Sequence, residues 1–208
     1  MAGTMPHAIF IETNADGAGG VAAYAAELPG CATFAATDEE ASRALPRRVD
    51  EFCAWLRSRG EEAPTFVGDN WYEVERATAV TTDGVLERAA FSLDELPPTD
   101  DEFERWLAWL ELAREELADA LDQAGDRLPG DLVERIATQD ERLALALGAD
   151  ASPPREAFDA VDRLYAARDA LTDAMVAAGP AGEGVRRAVR LAIADDLRAA
   201  EALRERSA

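Results

Sequence analysis

The apolar residues of this chain change their spacing at Pro97-Pro98, and that change limits what the chain can fold into. Before it, short runs rich in β-branched and aromatic residues are punctuated by turn clusters. After it, apolar residues recur at helical intervals, interrupted only by proline or glycine. Helix-period segments must bury a stripe against other helices, and strands must bury at least one face. The expected fold class is α+β. A small α/β domain with an added hairpin (residues 1–95) precedes an antiparallel four-helix bundle (residues 96–208).

In the first part, His7 to Thr13 (HAIFIET) reads as a strand that stops at the turn cluster Asn14-Ala15-Asp16-Gly17. Val21 to Glu27 and Ala32 to Ala36 are two more, joined by Leu28-Pro29-Gly30-Cys31. There proline presets the first turn angle and glycine accepts the positive one. Thr37-Asp38-Glu39-Glu40 has the pattern of a capping box. The helix it opens is lined by Ala41, Leu45, Val49, Phe52, Cys53 and Leu56. Pro46 lies inside that helix and costs about 3 kcal/mol, which predicts a kink or break near Leu45. Gly60 to Asn70 reads as a linker. Trp71 to Val80 and Val85 to Phe91 read as a hairpin turned at Asp83-Gly84.

In the second part, Thr99-Asp100-Asp101-Glu102 repeats the capping box. Phe103, Trp106, Leu107, Leu110, Ala113, Leu117 and Leu121 line a first helix, and Leu132, Val133, Ile136, Leu143 and Leu147 a second. Phe158, Val161, Tyr165, Leu171 and Met175 line a third. The fourth is lined by Val185, Val189, Ala192, Ile193, Leu197, Ala200 and Leu203. Breaks fall at Pro129-Gly130, Ser152-Pro153-Pro154 and Gly179-Pro180, and short connections imply antiparallel neighbours. Trp106 and Trp109 do not fit one narrow stripe, so one is expected to be partly exposed or to sit against the first domain. Trp71 and Tyr72 are candidates for the same interface. Glu115, Glu116, Asp119 and Asp122 read as a solvated helix face.

Charge narrows the partners. The chain carries 42 acids against 21 bases, a net charge of −21, and every base is an arginine. Residues 1–98 hold 7 bases and 17 acids, and residues 99–208 hold 14 and 25, so the acidity is spread over both parts. Such a surface repels phosphate backbones, which argues against nucleic acid and permits a basic protein partner. No apolar run approaches the roughly 20 residues that span a bilayer, and no secretory signal opens the chain. A cytoplasmic protein without membrane association is expected. The two cysteines, Cys31 and Cys53, lack metal-site spacing and read as small buried apolar residues. Gly17-Ala18-Gly19-Gly20 has no lysine and no helix behind it, so it reads as a hairpin loop and not a phosphate cradle.

The segment Tyr24 to Ala41 (YAAELPGCATFAATDEEA) resembles the HicB-like family over roughly residues 7–60. It has an aromatic on a strand, Leu-Pro-Gly-Cys, a short strand, then Thr-x-Glu-Glu-Ala opening a helix. That resemblance implies a small α/β domain which, in antitoxin members, masks a basic RNA-cleaving toxin. The DNA-binding segment that usually follows is not visible here. Residues 94–206 resemble the DinB-like bundles. The resemblance rests on Leu96 to Glu102, Trp106 and Trp109 in the first helix, Ile136-Ala137-Thr138-Gln139-Asp140 in the second and Arg186 to Arg190 in the fourth. Catalytic members of that superfamily hold a divalent metal with three histidines. The matching positions here are Arg135, Asp195 and Ala199, and the only histidine is His7 in the first strand. The expectation is a non-catalytic binding or regulatory protein with no cofactor. Its partner would be another protein or a second copy, as a homodimer. Arg135 and Asp195 would face each other as an ion pair in place of the metal. One alternative is an antitoxin-like inhibitor of a basic toxin. The other is a metal-dependent enzyme using oxygen ligands from Asp140, Asp195 and Asp196.

Overall fold

Alternation along β1 (His7–Thr13) sends Ile9 and Ile11 to one side of a sheet and Phe10 and Glu12 to the other. The strand pairs antiparallel with β2 (Val21–Ala25), which pairs antiparallel with β3 (Ala32–Ala35). The turn between β2 and β3 is the expected one. The Cys31 amide donates to the Leu28 carbonyl at 3.0 Å, and Gly30 takes φ 85°. The computed structural model describes residues 7–66, 70–82, 85–125, 129–150 and 159–207. It is mixed α+β, with a four-stranded mixed sheet and five helices, and divides into two units, Met1–Asp94 and Glu95–Ala208.

In the first unit, α1 (Asp38–Ser58) runs unbroken through Pro46, against the alternative of a break. The six apolar residues expected to line it are all buried. The Thr33 hydroxyl donates to the Ala41 carbonyl at 2.7 Å, which places α1 on the face that carries Ile11, Ala23 and Thr33. Burying each large side chain contributes about 1.5–3 kcal/mol, so this face outweighs the proline. Pro46→Ala is expected to stabilise the unit by about 1–2 kcal/mol, since part of the gain is offset in the unfolded chain. A higher urea midpoint at unchanged slope would show it, and an unchanged midpoint would refute it. Thr37 caps α1 by accepting from the Glu40 amide at 3.3 Å, so one bond of the expected box is present.

The long hairpin does not form. Trp71–Thr78 becomes β4 and pairs in parallel with β1, giving the order β3-β2-β1-β4. Only β5 (Val80–Thr82) and β6 (Val85–Glu87) pair with each other, with Thr82 opposite Val85. The Asp83-Gly84 turn lies outside the described residues. The chain after α1 returns beside β1, where β4 pairs in parallel on both sides of a register shift between Ile9 and Phe10. Of the expected linker, residues 61–66 carry no regular structure, and Phe66 packs its ring on His7 and Trp71 at 5.0 and 5.8 Å. The sheet face opposite α1 is covered by the chain after β6. Phe91 stacks on Phe10 at 4.7 Å and meets Tyr24 edge-on at 6.0 Å.

The second unit contains α2 (Asp100–Ala124), α3 (Gly130–Ala146), α4 (Ala160–Ala178) and α5 (Val185–Ser207). The Thr99 box is complete. Its hydroxyl accepts from the Glu102 amide at 3.2 Å, and Glu102 accepts from the Thr99 amide at 2.8 Å. Gly179, at φ 64°, ends α4. The Ser152-Pro153-Pro154 break and Phe158 lie outside the described residues. α2 lies along α5 and α3 along α4, and all four helices feed one apolar core that includes Leu117, Val133, Leu164 and Leu203. Trp106 and Trp109 are both buried, so neither is partly exposed. The buried face of α2 takes in 103, 106, 109, 110 and 113, which is wider than a two-position stripe. Arg186 lies over the Trp106 ring at 4.5 Å. Among the described residues, no helix is long and apolar enough to cross a membrane.

Candidate functional site

Each helix of the second unit sets at least one charged residue in register with its apolar stripe. On α2, Arg114 falls between Leu110 and Leu117, and on α3 Asp140 falls between Ile136 and Leu143. On α4, Arg168 falls between Leu164 and Leu171, and on α5 Asp196 falls between Ile193 and Ala199–Ala200. Intervals of three and four residues put these charges on the inward face. Asp140, Arg168 and Asp196 are accordingly 2, 3 and 1% exposed.

Arg168 is the centre of the cluster. One of its terminal nitrogens donates to the Asp196 carboxylate, and its Nε lies 3.6 Å from Asp140 Oδ2. Arg114 completes the set from α2. It donates to the Thr172 hydroxyl and, at 3.0 Å, to the Arg168 carbonyl. Thr172 donates to the same carbonyl at 3.0 Å. Among the described residues, Arg168 Nε and Nη1 and Arg114 Nε are buried without a hydrogen-bond partner. The cluster is therefore paired in charge but incompletely hydrogen-bonded.

Burial sets the protonation of its acids. It is the largest influence on Asp140, and the Asp196 charge adds to it. Arg168 and Arg114 oppose them, and the carboxyl is pushed up to about 7. Asp196 is raised for the same first reason, with Arg168 and Arg114 opposing and Asp195 adding. Burial also draws Arg114 below its usual value, against the attraction of Asp196 and Asp140.

The structure separates the residues that the DinB-like resemblance brings together. Arg135 is exposed on α3 and makes no ion pair among the described residues, so the expected Arg135–Asp195 pair is absent. It points out because Val133, Ile136 and Ala137 take the inward positions around it. Asp195 is half-buried on α5, and Ala199 is buried in the apolar core. The donor set does not fit a three-imidazole metal centre. Asp140 and Asp196 are buried instead of solvated, but the cation they face is a guanidinium. No group of three histidine, cysteine, aspartate or glutamate side chains suited to a metal occurs among the described residues.

The remaining candidates fall elsewhere. Trp71 is half-buried on β4, with His7 against its ring at 4.7 Å, and Tyr72 is exposed. Glu116 is buried and paired with Arg204, unlike the exposed Glu115, Asp119 and Asp122. Arg163 grips Glu141 with two bonds of 2.7 Å and so ties α4 to α3. Cys31 and Cys53 are buried free thiols, and burial pushes Cys53 up, away from the reactive thiolate. In the glycine loop, the Asp16 carboxylate already accepts from the Ala18 and Gly20 amides, at 2.8 Å each.

The first unit has a buried ion pair of its own. Arg88 reaches Glu12 through Nε at 3.0 and 3.1 Å and through Nη2 at 2.9 Å. Tyr24 donates to the same carboxylate at 2.7 Å and the Ala89 amide at 2.6 Å. Burial is the largest influence on Glu12 and pushes it up, but Arg88, Tyr24 and Ala89 together hold it below the usual carboxylate value. Sequence reading missed Glu12, Arg88, Arg114 and Arg168. The available signal was a charge in phase with an apolar stripe or strand. Comparison with protein-family models, curated proteins and solved structures finds no match.

Proposed function

We propose that this chain is a non-catalytic binding or regulatory protein, a HicB-like domain fused to a DinB-like antiparallel four-helix bundle whose metal centre has given way to an ion cluster. One observation carries the reading: the Arg168 guanidinium lies between Asp140 and Asp196 in the core, and Arg114 stands beside it. A divalent ion entering there would have to displace a tethered cation that already lies against both carboxylates. The sequence positions matching the family's ligands support the same reading, since they hold an arginine, an aspartate and an alanine and no imidazole. With His7 the one histidine and both cysteines buried, the reading is of a scaffold with a strongly acidic surface. Its partner on this reading is a protein, either basic or a second copy, and not nucleic acid.

The test is elemental analysis of protein purified without a polyhistidine tag, with thermal melts before and after chelator treatment. Substoichiometric metal and an unchanged melting temperature are expected. Near-stoichiometric metal, with a melting temperature that falls on chelation, would overturn the proposal and favour an oxygen-ligated enzyme.

A further inference from the structure

Arg114, Asp140, Arg168 and Asp196 come from four different helices, so any change in their charge balance acts on the contacts of α3 with α4 and α5 at once. The groups that face Asp140 are Arg114 from α2, Arg168 from α4, and Asp195 and Asp196 from α5. Glu111 acts on Arg114 from the same helix. Arg168 bonds directly to Asp196 but stands 3.6 Å from Asp140, so the second carboxylate is the less firmly held. Asp140 is 2% exposed and shares Arg168 with Asp196, which takes the direct bond, so burial of the second negative charge is only partly compensated.

We propose that this cluster is a proton-controlled latch in which a protonated Asp140 holds the helical unit tight and its ionisation loosens α3. The inference goes beyond the functional reading above, which requires only that Arg168 occupy the centre. The sign follows from linkage. An aspartate whose folded value stands above its unfolded one favours the folded state below the unfolded value, and that advantage is lost as pH rises through the folded value. For Asp140 the window runs from the ordinary 3.8 to about 7.

Two measurements on the full chain test the latch. Carboxyl-carbon NMR of the intact protein should show Asp140 titrating near pH 7, and a midpoint below 5 would overturn the proposal without any variant. Hydrogen exchange, corrected for the chemical rate, should show opening in α3 and α4 rising about tenfold between pH 6 and 8. General repulsion on so acidic a chain also grows with pH, so the comparison with Asp140→Asn decides. That variant should lose most of the tenfold change, and retention of the full change would sink the latch. Asp196→Asn should move the Asp140 midpoint downward, because Asp196 is one of the groups holding it up. An unmoved midpoint would show that the two acids do not act as a unit. Metal content has no part in these readouts, so the latch and the functional reading can fail separately.

Discussion

Replacing Arg88 with methionine should lower the stability of the sheet-containing unit by about 3–5 kcal/mol. Methionine keeps most of the side-chain length and removes the charge. Glu12, fully buried on the face opposite α1, would then be a carboxylate served only by the Tyr24 hydroxyl and the Ala89 amide. A loss of that size is comparable with the whole stability of many small domains, so a sizeable unfolded fraction is expected near physiological temperature. Hydrogen exchange of β1 and β2 peptides would report it unit by unit, and a loss under about 1 kcal/mol would mean that water reaches the pair. The double change Arg88→Met with Glu12→Gln should be milder than Arg88→Met alone, because no uncompensated charge remains. Acid should reproduce part of the effect. Glu12 is held below its ordinary 4.5, so its contribution is complete above that value and is lost as pH falls through the lower folded one.

What the sequence disclosed and what it hid divide along physical lines. Caps, turns and stripes are local. The Thr99 box, the Pro29-Gly30 reversal and the inward residues of α1 could be read from neighbours a few positions apart. Pairing partners are not local. Nothing in Trp71–Thr78 distinguishes a hairpin strand from one that crosses over to lie parallel to β1, because its alternation suits either. At Pro46 the break is overridden for the opposite reason: the local penalty is sound, but the packed face beneath it is larger. The charged cluster was legible only in part. Asp140 and Asp196 lie in phase with their apolar neighbours, yet the strong acidity of the chain made solvent the natural assignment for any carboxylate. Arg168 lies in phase with Leu164 and Leu171, but the apolar members of a stripe alone do not point to it. The resemblance to metal-binding bundles singles out Arg135, which lies one step away from the inward positions.

Arg168→Met should destabilise the helical unit by about 3–5 kcal/mol at pH 8, the largest effect expected there. The substitution leaves Asp140 and Asp196 buried beside each other, with Arg114 as the remaining cation. The loss should shrink on acidification. Both acids already stand above their ordinary 3.8, and removal of the central guanidinium raises them further. The folded variant therefore recovers protons, and stability, as pH falls toward 5. Calorimetry at pH 5 and pH 8 measures the difference, and a loss equal at both values would point to lost packing, which does not titrate, in place of lost charge balance. The triple variant Arg168→Met, Asp140→Leu, Asp196→Leu separates stability from purpose. Buried ion clusters are often replaced by well-packed apolar residues at no loss, but this variant leaves Arg114 without its acids, so it should recover most, not all, of the Arg168→Met loss at pH 8. If it does, and its opening no longer varies with pH, the cluster adds a proton response that an apolar core lacks. If the triple variant is as unstable as Arg168→Met alone, the bonds that Arg168 makes in the core hold the helices together in their own right.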